Sequence, residues 1–60
     1  MYDVKLIYDF CKSYVTNKED HECVKDTYGN RIESFLILDD LAICFSFNAN
    51  NELLNCWYCN

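Results

Sequence analysis

Proline is missing from this 60-residue chain, and glycine occurs once, at position 29. Collagen-like and flexible-linker architectures are thereby excluded, and the interiors of helices and strands are spared their two strongest breakers. Positive charge is scarce. Lys5, Lys12, Lys18, Lys25 and Arg31 stand against ten acidic residues, for a formal net charge of −5. A nucleic-acid binder needs a basic stripe to neutralise phosphates, and an anionic membrane surface demands the same. Direct binding to either is therefore not expected. No stretch approaches the ~18 apolar residues of a membrane span. The first residues also lack a charged segment followed by an apolar run, so the expectation is no signal peptide and a cytoplasmic location. His21 is the single histidine. It neighbours no recognisable nucleophile, and there is no glycine-rich phosphate loop. Neither enzyme activity nor a cofactor is expected.

What the chain does have is apolar surface. Hydrophobic residues make up 52% and aromatic residues 17%, enough to offset the entropy of ordering. The length suits one domain, residues 1–60. So short a chain buries only about 60% of the surface it exposes when unfolded, and a single core of this size supplies ~3–5 kcal/mol. The five cysteines, Cys11, Cys23, Cys44, Cys56 and Cys59, are odd in number. A loop-rich scaffold stapled by disulfides normally pairs its cysteines, whereas this chain reads as regular helix and strand. Reduced thiols acting as small apolar groups fit better.

Residues 3–16 have helical periodicity. Val4, Ile7, Phe10, Cys11, Tyr14 and Val15 recur at spacings of three and four and share a face, with Lys5, Asp9, Lys12 and Thr16 opposite. Asp3 is placed to cap the start, Lys5 and Asp9 to pair, and Asn17 to end the helix. After Lys18 the period changes. Gly29-Asn30 reads as a two-residue hairpin turn between strands at 21–28 and 31–38. Asp39-Asp40 and Asn48–Asn51 bound further strands at 41–47 and 53–59. The predicted architecture is α+β, an N-terminal amphipathic helix packed on a four-stranded antiparallel β-meander.

Turn lengths set the register. Two-residue turns at 29–30 and 39–40 pair Val24 with Phe35, Leu38 with Leu41, and Phe35 with Cys44. A three-residue loop at 49–51 pairs Cys44 with Cys56 and Ile43 with Trp57. One face then carries Ile32, Leu36, Leu38, Leu41, Ile43, Phe45, Phe47, Leu53 and Trp57, and receives the helix. The other carries Val24, Phe35, Ile37, Ala42, Cys44, Leu54, Cys56 and Tyr58. A single helix leaves this second apolar face uncovered, which suggests a partner or a second copy of the chain. Glu19, Asp20, Glu22, Asp39 and Asp40 gather at one end of the sheet. Like charges there oppose folding and would suit a cationic partner.

Cys56-Trp57-Tyr58-Cys59 has C-x-x-C spacing, and with His21 and Cys23 it forms a conceivable zinc set. In the meander these pairs lie on the first and last strands, which argues against the metal. The favoured expectation is a small acidic inhibitor that occupies a basic, nucleic-acid-binding surface of a partner protein. A homodimeric structural or regulatory protein and a zinc-stabilised adaptor stand as alternatives. In size, acidity, asparagine-rich composition and lack of catalytic motifs, the chain resembles phage-encoded anti-defence proteins such as the anti-CRISPR proteins. The resemblance implies action in the host cytoplasm by blocking a nucleic-acid-handling machine.

Overall fold

The computed structural model describes residues 3–60. Its elements follow in the order α1 (Val4–Tyr14), a single 3-10 turn (Lys18–Asp20), β1 (His21–Lys25), β2 (Arg31–Leu38), β3 (Leu41–Phe47) and β4 (Leu53–Cys59). The strands form one antiparallel sheet in the order β1-β2-β3-β4. The α+β meander predicted from periodicity is the observed fold.

Local chemistry sets the boundaries. Asp3 has extended backbone and its carboxylate accepts from the amides of Lys5 and Leu6 at 3.1 and 3.4 Å, which caps α1. Lys5 and Asp9 pair at 2.7 Å, one helical turn apart on the exposed side. The helix stops at Val15 rather than Asn17, and Asn17 instead precedes the 3-10 turn. β1 is shorter than expected because Asp26 starts the turn early. Its carboxylate accepts from the amides of Tyr28 and Asn30 at 2.8 and 3.0 Å, and Gly29 takes the left-handed conformation at φ 83°. The β3–β4 hairpin repeats this device. Asn48 accepts from Asn50 and Glu52 at 3.0 Å each, and Asn51 sits at φ 65°.

The core lies between α1 and one face of the sheet. Tyr8, Cys11, Phe35, Phe45 and Phe47 form its centre, with Val4, Ile7, Val15, Ile37, Ile43 and Leu53 around them. Tyr8 contacts Phe35, Phe45 and Phe47 edge to face, with centroids 5.8, 5.2 and 4.9 Å away, the geometry favoured by aromatic quadrupoles. The expected helix stripe is thus rotated. Tyr8 occupies its middle, while Phe10 and Tyr14 are 59% and 57% exposed and stack on each other at 5.5 Å.

Two bulges change which side chains share a face. Leu38 pairs with Leu41 as predicted, but a register shift at Ile37 places Phe35 opposite Ile43 rather than Cys44. Phe47 pairs with Leu53 as the 49–51 loop requires, but a second shift places Cys44 opposite Trp57 and Phe45 opposite Cys56. The longer first turn pairs Val24 with Ile32 rather than Phe35. Each bulge adds one residue, and one residue is enough to turn a strand over. Phe35, Ile37, Cys56 and Tyr58 therefore share the helix side of the sheet with Phe45. Ile32, Leu36 and Trp57 move to the open side. The expected pairing of Cys44 with Cys56 does not form.

Candidate functional site

The acidic end assembles largely as the sequence implied. Asp20, Asp39 and Asp40 line a shallow depression of about 470 Å³ together with Leu36 and Leu38. Glu19, Asp20 and Glu22 line a smaller one of about 200 Å³ with Ser34, Leu36 and Ala42. The two share Asp20 and Leu36, so the five carboxylates flank one leucine. No lysine or arginine among the described residues lines either depression. The 3-10 turn at the start of β1 and the tight turn between β2 and β3 bring these acids together. All are exposed except Asp20, which is half-buried.

Beside this end lies the sheet face that α1 leaves bare. Its central strand presents Ala42, Cys44 and Ser46, flanked by Ile32, Ser34 and Leu36 on β2 and by Asn55 and Trp57 on β4. The Ser34 hydroxyl and Cys44 thiol meet at 3.4 Å. The small residues are shielded by larger neighbours, and Leu36 and Trp57 stand out with 38% and 40% of their surface exposed.

The residues expected on a partner-facing surface are thus divided. Val24 is exposed on the open side and Cys44 is buried there beneath its neighbours. Leu54 is exposed at the β4 bulge. Phe35 is fully buried in the core, whereas Ile37 is half-buried, packs against that core and also lines the larger acidic depression. Cys56 and Tyr58 lie on the helix side and are exposed. The zinc set is not brought together. His21 and Cys23 are on one edge strand, Cys56 and Cys59 on the other, with two strands between them, a span of ~14 Å at ~4.8 Å per strand spacing. Among the described residues no group of three or more metal-ligating side chains converges, and all five thiols are unpaired.

A polar cluster beneath α1 went unseen in the sequence. Glu33 is nearly buried on β2, on the side facing the helix. The Tyr8 hydroxyl donates to its two carboxylate oxygens at 3.1 and 3.0 Å, His21 Nε2 lies 2.9 Å from Oε1, and Arg31 Nε donates to Oε2 at 2.8 Å. Burial pushes the Glu33 carboxyl up, but the hydrogen bonds from Tyr8, His21 and Arg31, with the Arg31 charge, outweigh it and hold the group below the usual carboxylate range. Burial, reinforced by the hydrogen bond and charge of Glu33, pushes the Tyr8 phenol up to about 12. The His21 ring stacks on Phe35 at 4.3 Å, and the Arg31 guanidinium lies 4.3 Å from the centre of the Phe47 ring. Both carboxylate oxygens are occupied and each donor is itself packed on the core. This cluster fixes α1 to β1 and β2. The only signal for it in the sequence is an acid at a position where strand alternation calls for an apolar residue.

Comparison with family models, with curated proteins and with solved structures finds no match for the chain. Among the described residues, no helix is long and apolar enough to cross a membrane.

Proposed function

We propose that the chain is a non-enzymatic protein-interaction module that docks its acidic end and the adjoining bare sheet face on a basic surface of a partner protein. The observation that carries this reading is the grouping of Glu19, Asp20, Glu22, Asp39 and Asp40 around Leu36, at the margin of the sheet face opposite α1, which no helix or strand among the described residues covers. Carboxylates so placed cost folding energy through mutual repulsion and offer no compensating partner within the depressions they line. Against a lysine- or arginine-rich groove the same charges steer encounter and fix orientation, while Leu36, Ile32 and Trp57 supply buried apolar contact. Basic grooves of this kind commonly hold nucleic acid. Occupying one would block it competitively, the mode of action implied by the resemblance to phage anti-defence proteins.

Affinity capture from the source cell, read by mass spectrometry, tests this with three baits: the native chain, Leu36→Lys, and the double variant Asp39→Asn/Asp40→Asn. The expected result is a basic protein held by the native chain, lost with Leu36→Lys, and weakened both by the double variant and by raised salt. A specific partner held equally by all three baits would place the contact elsewhere and refute the reading.

A further inference from the structure

The two edges of the sheet are built differently. β1, at one edge, is five residues long, carries Glu22 and Lys25, and is preceded directly by the 3-10 turn. β4, at the other, is seven residues long, Leu53–Cys59, and contains no charged residue, although a quarter of the chain is charged. It is exposed beyond its first residue. Folded proteins blunt a free strand edge with lysine, proline, an inward charge or a bulge. β4 has only its bulge beside Leu54, at the start of the strand, which leaves Asn55–Cys59 in unbroken pairing with β3 on one side and, among the described residues, without a partner strand on the other. Alongside runs an apolar groove of about 250 Å³ between α1 and the edge, lined by Val4, Ile7, Ile43, Cys56, Trp57 and Tyr58.

We propose that β4 pairs antiparallel with β4 of a second copy of this chain, joining two meanders into one continuous eight-stranded sheet. An antiparallel strand is its own complement about a twofold axis, so one segment supplies both sides of the contact. Electrostatics selects the same segment. Each copy carries −5, so two copies repel wherever acids face each other, and β4 offers a long strand with none. Glu19, Asp20 and Glu22 lie at the far edge of each sheet. The antiparallel arrangement also sends the two Asp39-Asp40 turns, which adjoin the Cys59 end of β4, to opposite ends of the joint sheet. The alternate amides and carbonyls of Asn55–Cys59 that point away from β3 gain partners. Side chains of each copy's β4 reach the groove of the other. This contact meets the docking surface of the preceding section at Trp57 on β4, and it leaves Leu36 and the five acids around it free on both copies.

Sedimentation equilibrium under reducing conditions, across a concentration series, tests the proposal without interference from disulfides through the exposed Cys56 and Cys59. The native chain should approach twice the mass of one chain as concentration rises. Tyr58→Lys, at a position 75% exposed in the single chain, places like charges at the joint and should remain monomeric throughout. Val24→Lys, on the β1 edge, should dimerise as the native chain does. A native chain that stays monomeric at every concentration overturns the proposal, as does a dimer that survives Tyr58→Lys. Hydrogen exchange on the native chain decides independently if Tyr58→Lys fails to fold. Exchange at alternate amides of residues 55–59 should slow as concentration rises, and rates that ignore concentration would contradict β4 pairing.

Discussion

Replacing Glu33 by alanine should bring this protein to the edge of unfolding. Glu33 accepts from Tyr8, His21 and Arg31 at distances between 2.8 and 3.1 Å, in a position 5% exposed. A hydrogen bond to a charged group contributes ~1.5–3 kcal/mol net. Three such bonds on one carboxylate are not additive, and removing one partner from a buried ionic cluster typically costs ~3–5 kcal/mol. Alanine also strands the Tyr8 hydroxyl beneath α1 and the Arg31 guanidinium beside Phe47. A single core of this size provides only ~3–5 kcal/mol in total, so the loss nearly equals the stability. Glutamine is a milder change. Its carbonyl can accept from Arg31 while its amide donates to Tyr8 and to an unprotonated His21 nitrogen, which limits the cost to ~1–2 kcal/mol. Urea titration followed by far-ultraviolet circular dichroism measures all three chains. Glu33→Ala should show a large unfolded fraction without denaturant, with Glu33→Gln between it and the native chain. The acid limb gives a second readout. The Glu33 carboxyl is held below its unfolded value of ~4.3. Its contribution is therefore complete above that pH and is lost as pH falls through the lower folded value. Glu33→Gln should flatten that part of the pH profile. A Glu33→Ala protein destabilised by less than ~1 kcal/mol would refute the assignment of this cluster as the lock between helix and sheet.

Other outcomes follow from the same structure. One tyrosine should ionise near pH 12, read by tyrosinate absorbance, and that step should vanish in Tyr8→Phe; because the folded phenol lies above its unfolded value of ~10, stability should decline as pH rises between the two. Gly29→Ala meets no atom within 4 Å but forces an alanine to φ 83°, and should lower stability by ~1 kcal/mol in a urea titration. With a thiol reagent under native conditions, the exposed Cys23 and Cys59 should react first and Cys56 more slowly, since burial, aided by Cys44, pushes its thiol up. The buried Cys11 and Cys44 should react only on unfolding.

Much of this fold was legible from periodicity and turn residues. β2, β3 and β4 fall at the positions their alternation marks, and Asp3 caps the helix. Alternation, however, fixes sides only within one strand. Which side of β2 matches which side of β3 depends on the bulge at Ile37, and no residue type there announces it. The same holds beside Leu54, and together the two bulges turned Phe35 and Ile37 inward and Leu36 and Trp57 outward. The acidic end survived these shifts because turns, rather than strand register, bring its residues together. The Glu33 cluster was hidden for another reason. Its four members lie on three elements, and Tyr8 reads as merely one aromatic among several until the helix is docked. The early stop of β1 was hinted at by Asp26, a residue able to hold a turn through its own side chain.

The bare sheet face around Leu36, with the carboxylates at its rim, is the surface proposed to meet a basic partner. Once capture has supplied that partner, titration calorimetry of the native chain and Leu36→Lys at two ionic strengths tests it most directly. The expected result is 1:1 binding per chain that weakens steeply with salt and is abolished in Leu36→Lys, while the variant keeps the native circular dichroism spectrum. Binding indifferent to both salt and Leu36→Lys would contradict it.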